Sequence, residues 1–138
     1  MSDSFIPKHS FAVTIESKHV DSLGHVNNAA YLELFEKARW DWIAQGGYGI
    51  DRVQATGFGP IILELSVKFR REVRLGEQLE IQSMTTDYVG KIGHLEQRML
   101  RAKTEICCSA YFTFALFDLK GRKIVAPTAE WLAAVGAY

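Results

Sequence analysis

The sequence predicts an α+β fold in which an antiparallel five-stranded sheet wraps around one long central helix, with a short helix near the C-terminal end. The first observation is the order of the patterns along the chain: one alternating segment, one long helical segment, then four more alternating segments. The second is the apolar stripe on the long helical segment, which needs a sheet to lie on. Runs of strands beside a single helix are typical of α+β proteins.

The length and composition favour one folded domain over residues 1–138. A chain of 138 residues is long enough to bury a core, and its 48% apolar content is ordinary for a globular protein. The formal net charge of zero argues against nucleic acid or an anionic membrane as the main partner. No run reaches the ~18 apolar residues of a membrane helix. Met1 to Ser10 is polar, so no signal peptide is expected.

The first two elements are predicted by a change of period. Phe11, Val13 and Ile15 alternate with Ala12, Thr14 and Glu16, which indicates a half-buried strand. From Ala29 to Gln45 the apolar residues recur instead on one helical face: Tyr31, Leu34, Phe35, Ala38 and Trp42. Such a helix spans about 25 Å. Gly46 and Gly47 follow it and are expected to end it.

Four later strands are predicted by alternation between turn residues. They run from Ile61 to Arg70, from Leu79 to Ser83, from Gly93 to Leu100 and from Ile106 to Phe117. The last of them is apolar at both parities, which is typical of a strand covered on both faces. The stretch from Gly46 to Pro60 is expected to be a glycine-bearing connection, and Asp118 to Arg122 a turn. A short terminal helix is predicted from Ala129 to Val135.

The cysteines and histidines give no indication of a metal site. Cys107 and Cys108 are adjacent in an apolar run, which suits neither a structural disulfide nor a zinc site. We interpret them as reduced core residues of a cytoplasmic protein. The spacing of His19, Asp21 and His25 matches no standard metal-binding pattern. No metal and no cofactor are expected.

The stretch from Val20 to Tyr31 contains the residues best suited to chemistry. Asn27 and Asn28 fall where the long helix should begin, and a helix N-terminus offers unpaired N–H groups to an oxyanion or a polarised carbonyl. Asp21 lies one short loop away and supplies a carboxylate. An acid or nucleophile beside an electrophile holder is the minimum for acyl transfer. The alternatives are structural: Asp-Ser-x-Gly is good turn chemistry, and Asn is an ordinary N-cap.

This stretch carries a resemblance to a known family. Asp21, Gly24 to Asn28 and Tyr31 form Asp-x-x-Gly-His-Val-Asn-Asn-x-x-Tyr, and Phe35 to Arg39 reads Phe-Glu-x-Ala-Arg. The pattern resembles the hotdog-fold acyl-CoA thioesterases of the 4-hydroxybenzoyl-CoA thioesterase type. The resemblance implies hydrolysis of an acyl-CoA or acyl-carrier thioester to free acid and thiol, with CoA present only as part of the substrate. It also implies a homodimer or homotetramer.

The resemblance assigns roles to individual residues. In the family, the Asp that matches Asp21 attacks the thioester or activates water, and the backbone N–H that matches Asn28 polarises the carbonyl. The neighbouring candidates for substrate binding are Gly24, His25, Asn27 and Tyr31. A sister subtype uses a Glu inside the helix after a His-Gly-Gly entry. Here Gly46 and Gly47 follow the helix, which favours Asp21 over Glu33 or Glu36.

A basic cluster after the second strand is a candidate phosphate site. Arg70, Arg71 and Arg74 could grip the phosphates of CoA, because arginine forks match phosphate geometry. The alternative is a solvated strand end, with the arginines balanced by Glu72 and Glu77.

Two other functions remain open at this point. A hotdog dehydratase or hydratase would use His25 with Asp21 at the α and β carbons of the substrate. A binding module for acyl-CoA or acyl carriers would keep Asp21 as a purely structural residue. The sequence does not fix the acyl length or the choice between CoA and a carrier protein.

Overall fold

The α+β architecture is confirmed. The computed structural model describes residues 5–137. The elements are β1 His9–Thr14, α1 Asn28–Gln45, α2 Ile50–Thr56, β2 Phe58–Phe69, β3 Gln78–Val89, β4 Ile92–Arg101, β5 Glu105–Asp118, β6 Lys123–Val125 and α3 Ala129–Ala134. The five long strands pair antiparallel in the order β1-β3-β4-β5-β2. β6 pairs with the end of β5 that β4 leaves uncovered.

The helix α1 lies on the inner face of this sheet and forms the centre of the core. All five residues of its predicted stripe, Tyr31, Leu34, Phe35, Ala38 and Trp42, are buried. They pack with inward residues of β3, β4 and β5, among them Ile81, Met99, Phe112 and Phe114. Gly46 ends α1, and a Cβ there would come within 2.7 Å of the Ala134 backbone, so a side chain would push α3 away.

The position of β5 in the sheet accounts for its apolar residues at both parities. Four consecutive residues, Cys107–Ala110, are buried, and so are Phe114 to Leu116. The strand lies between β4 and β2, with α1 on its inner face. Its burial is therefore achieved within the chain and does not by itself require a second subunit.

β2 is an edge strand that remains largely exposed. It pairs with β5 on one side, and its pairing slips between Ile62 and Glu64, which leaves Leu63 as a β-bulge. Leu63 and Leu65 are each 42% exposed and Phe69 is 55% exposed. The apolar parity predicted from alternation is present; Val67 packs against the core, whereas Leu63, Leu65 and Phe69 stay largely exposed.

Three short elements were not predicted, and the first is a 3₁₀ turn at Ser17–His19. The connection from Gly46 to Pro60 contains α2, and a sixth strand, β6, follows the turn after Asp118, so the predicted five-stranded sheet gains one short strand. α2 has seven residues and β6 has three, which is too few for either period to show in the sequence.

The predictions about membrane helices, metal sites and the N-terminal segment can be compared only with residues 5–137. No helix within residues 5–137 is long and apolar enough to cross a membrane. The same residues contain no group of three His, Cys, Asp or Glu side chains placed to hold a metal. The prediction made for Met1 to Ser10 falls in part on residues 1–4, which lie outside the described residues.

Candidate active site

Asp21 begins a tight turn that precedes α1. The Asp21 N–H donates to the His25 carbonyl at 3.2 Å, and the Gly24 N–H donates to the Asp21 carbonyl at 3.1 Å. Gly24 has φ +85°, a conformation that side chains disfavour, which accounts for a glycine at this position. The Asp21 carboxylate accepts the Leu23 N–H at 2.9 Å through Oδ1. The turn-forming function of this Asp is therefore real, and it leaves Oδ2 for a second partner.

Asn27, rather than Asn28, is the N-cap of α1. Its Oδ1 accepts the Ala29 N–H at 2.9 Å, and its Nδ2 donates to Asp21 Oδ2 at 3.5 Å. The backbone N–H of Asn27 donates to the His19 carbonyl at 2.9 Å, which fixes the cap. One amide side chain thus joins the positive end of the helix to the Asp21 carboxylate.

Asn28 is the first residue of α1, and its backbone N–H points away from the helix. Within residues 5–137 no acceptor bonds this N–H, as expected for the first turn of a helix. A cavity of about 320 Å³ opens here, lined by His25, Val26, Asn28, Tyr31 and Phe69 to Glu72. The N–H and the helix dipole are thus available to a carbonyl oxygen bound in this cavity.

His25 and Tyr31 supply polar groups to the same cavity. His25 Nδ1 lies 3.2 Å from the Val26 carbonyl, so this nitrogen donates and Nε2 remains for a substrate. Tyr31 packs against the Phe69 ring, with 5.2 Å between centroids. Burial, the largest cause, raises the pKa of Tyr31 to about 12, so its phenol stays protonated and cannot act as a base at neutral pH.

The three arginines of the predicted cluster differ from one another. Arg70 and Arg71 line the cavity, whereas Arg74 does not. Arg70 donates to Ser109 Oγ at 3.2 Å and forms no ion pair with any residue that the structure describes. Arg71 makes a long pair with Glu105 at 3.5 Å.

Arg74 instead forms an ion pair with Glu72 at 3.1 Å. For this arginine the alternative interpretation holds, a solvated cation balanced by a neighbouring glutamate.

The structure brings together some of the predicted residues and separates others. His25, Asn28, Tyr31, Arg70 and Arg71 share one cavity. Gly24, Asn27, Asp21 and Arg74 lie outside its lining, and Asp21 connects to it through Asn27.

Two further cavities follow the seam between α1 and β2. The Phe-Glu-x-Ala-Arg motif supplies Glu36 and Arg39 to both, and Trp42 of the helical stripe lines the larger one.

Comparison with known proteins identifies the family of the chain. The family model described as the thioesterase-like superfamily matches residues 15–135. Long-chain acyl-CoA thioesterase FadM of Escherichia coli is 31% identical over 119 residues, which cover 86% of this chain and 89% of FadM.

Solved structures share the fold over nearly the whole chain. The YbaW probable thioesterase of Escherichia coli has a TM-score of 0.79 and 29% identity, with 91% of this chain and 95% of YbaW covered. A Lactobacillus plantarum structure has a TM-score of 0.88 at 18% identity and shows the fold alone. It covers 94% of this chain, which spans 51% of that longer protein. The resemblance predicted from the Asp21 and Asn28 motif is confirmed: the chain belongs to the thioesterase-like superfamily and has its hotdog fold.

Proposed function

We propose that this protein hydrolyses long-chain acyl-CoA thioesters to the free acid and CoA, using Asp21 and the N-terminus of α1. The activity follows from the family, and the long-chain preference is that of the FadM relative. The observation that carries the site assignment is the open Asn28 N–H in a cavity, with the Asp21 carboxylate held behind it by the capping side chain of Asn27.

The proposed reaction needs only water as co-reactant. The Asn28 N–H and the helix dipole bind the thioester oxygen, on which negative charge develops. Asp21 either removes a proton from the attacking water or attacks the carbonyl carbon itself, forming an anhydride that water then hydrolyses. In both routes the C–S bond breaks, the thiolate leaves and takes up a proton, and the acyl group ends as a carboxylate. Asn27 holds Asp21 in position for either route.

The CoA phosphates are proposed to bind Arg70 and Arg71. Both line the cavity, and Arg70 has no carboxylate partner within the described chain, so its charge is available. Arg74 is expected to contribute less, because Glu72 already neutralises it. His25 and Tyr31 are proposed to contact the substrate between the phosphates and the thioester, while Gly24 shapes the turn.

We propose that the protein works as a homodimer or homotetramer. β2 leaves a long edge with exposed Leu63, Leu65 and Phe69, and exposed apolar edges are normally covered in native proteins. A second copy pairing along β2 would cover them. The interface would then lie beside the cavity, because Phe69 belongs to both.

A cytoplasmic location fits the cysteines and the substrate. Cys107 and Cys108 are buried and free. Burial, the largest cause, raises the pKa of Cys108 to about 12 and that of Cys107 above its usual range, so both thiols stay protonated and unreactive.

One observation favours a second candidate, an acyl-CoA binding module without catalysis. Asp21 lies outside the lining of the cavity, and both its oxygens already accept hydrogen bonds. A panel of acyl-CoA esters with trapping of the released thiol separates the two candidates. Release of thiol that depends on acyl length supports the thioesterase; binding of the same esters without release supports the module.

A further inference from the structure

A groove follows the seam between α1 and β2, away from the proposed reaction site. A cavity of about 280 Å³ begins at Leu32 and Leu65 and ends at Arg39 and Ile62. A second cavity of about 290 Å³ shares Glu36, Arg39 and Ile62 with the first and continues to Trp42, Ile43 and Trp131. Asn28, Leu32, Arg39 and Ile43 lie on one flank of the helix, four, seven and four residues apart. The groove therefore follows the same flank of α1 as Asn28, from Leu32 toward the C-terminal half of the helix, and shares no lining residue with the cavity at Asn28.

Arg39 is the one cation in the lining of these two cavities. Its Nη1 donates to Gln97 Oε1 at 3.0 Å, and its guanidinium lies 4.4 Å from the centroid of the Phe112 ring. Gln97 is fully buried and is itself fixed by donating to the Phe35 carbonyl and to Ser83 Oγ. The guanidinium is thus held rigidly at one point along the groove.

The charge of Arg39 is not neutralised by an ion pair within the described chain. No carboxylate among residues 5–137 forms a salt bridge with it, although Glu36 is near enough to interact electrostatically. Burial, the largest cause, lowers the pKa of Arg39 to about 10, so the group remains charged at neutral pH while it is poorly solvated. A guanidinium has five N–H donors, and the described contacts use one of them. An acceptor entering the groove would find donors already oriented.

We propose that Arg39 makes this groove selective for long acyl chains that carry a mid-chain oxygen, a hydroxyl or keto group, which accepts a hydrogen bond from the guanidinium. The apolar cavity beyond Arg39 takes the remainder of the chain. This inference rests on the proposed thioesterase function and names the substrate class of the same site.

The helix gives the approximate position of the oxygen. Gln97 anchors the guanidinium at the level of Phe35, seven residues after Asn28, or about 10 Å along the axis. Adding roughly 3 Å from the Asn28 N–H to the thioester oxygen, and up to roughly 3 Å more from the guanidinium to the chain oxygen, gives about 13–16 Å between the thioester and that oxygen. An extended chain advances about 1.3 Å per C–C bond of ~1.5 Å. The oxygen is therefore expected about ten to twelve carbons from the thioester.

The test compares CoA esters of one chain length. We expect 12-hydroxyoctadecanoyl-CoA to be hydrolysed by the wild-type protein with at least about a tenfold higher kcat/KM than octadecanoyl-CoA, because a hydrogen bond to a charged donor gives about that factor. Arg39→Met, which keeps the apolar stem, should bring this ratio to about one, and Arg39→Lys should retain part of it. The ratio for 3-hydroxyoctadecanoyl-CoA, whose oxygen lies far from Arg39, should not change. Lys37→Met removes an exposed cation from the same helix and should leave every ratio unaltered.

Each result decides the question. A wild-type ratio within about twofold of one overturns the proposal whether or not the variants fold, and so does a preference that survives in Arg39→Met. A wild-type ratio near one, with a weaker oligomer in Arg39→Met, would show instead that a carboxylate of a second copy pairs with Arg39. If the wild type hydrolyses no ester, the proposed function fails, and calorimetric binding of the same two esters to the wild type tests Arg39 independently: equal affinity overturns the proposal.

Discussion

Replacing Asp21 with Asn separates catalysis from folding. The Leu23 N–H donates to Asp21 Oδ1 at 2.9 Å, and the Oδ1 of the new Asn side chain can still accept it. It loses the contact with Asn27 Nδ2, because two amide nitrogens would then face each other. At 3.5 Å that contact is at the outer limit for a hydrogen bond, so the free energy of unfolding should fall by less than about 1 kcal/mol.

The effect on turnover should be much larger. General-base catalysis is worth about 10²–10⁴-fold in rate, or about 3–5.5 kcal/mol of barrier, several times the stability cost. We expect kcat on the best acyl-CoA of the panel to fall by that factor with KM nearly unchanged. Thermal denaturation of the same preparation checks the fold. In a single turnover of the wild type, labelled oxygen from water entering the carboxylate of Asp21 identifies the covalent route, whereas label only in the product is the result expected for a general base and for an anhydride that water attacks at its acyl carbon.

Glu36 provides the matched control. It lies eight residues after Asn28, about 12 Å along the helix, beyond hydrogen-bonding reach of a carbonyl held at the N-terminus. Glu36→Gln should therefore leave kcat within about twofold of wild type, while KM for long-chain esters can change because Glu36 lines the proposed acyl groove. The mechanism is refuted if Asp21→Asn retains near-wild-type turnover on every ester, or if Glu36→Gln is the variant that loses it.

Three further predictions follow from the same contacts. Asn27→Ala removes the N-cap and should lower the free energy of unfolding, measured by chemical denaturation, by about 1 kcal/mol. Because Asp21 also loses its contact with Asn27, kcat should fall too. A loss of stability with unchanged kcat would refute the positioning function. Arg70→Gln and Arg71→Gln should each raise KM with little change in kcat. Arg74→Gln removes a cation that Glu72 already pairs, so its effect on KM should be smaller. Equal KM values in all three variants would place the phosphates elsewhere. Leu63→Glu, on the exposed edge, should shift the mass seen by light scattering from a multiple of 15.5 kDa toward one chain, and a wild type that is already monomeric at micromolar concentration would remove the basis for a dimer.

The fold was predictable where one period extends over many residues. The stripe from Tyr31 to Trp42 and the alternation in β3 and β4 have the length that periodicity needs. The seven residues of α2 do not, and β6 forms only because β4 ends before the far end of β5 does.

The turn and the helix cap of the site were predictable from the sequence, whereas its contacts between distant residues were not. The turn at Gly24 and the cap at Asn27 depend on neighbouring residues, so their chemistry shows in the sequence. The separation of Arg74 from Arg70 depends on which carboxylates reach it after folding. The setting of Arg39 depends on Gln97, which is 58 residues distant in the chain, and no local pattern encodes such a contact.

The exposed edge strand has a thermodynamic consequence, because β2 is also one wall of the groove. If a second copy pairs along β2, the partner contacts the edge of the strand while the acyl chain lies on its inner side. Both then stabilise the same conformation of β2. Linkage then requires that each strengthens the binding of the other by an equal factor. The apparent affinity for substrate would rise with protein concentration, and saturating substrate would hold the assembly together at dilutions where the empty protein dissociates.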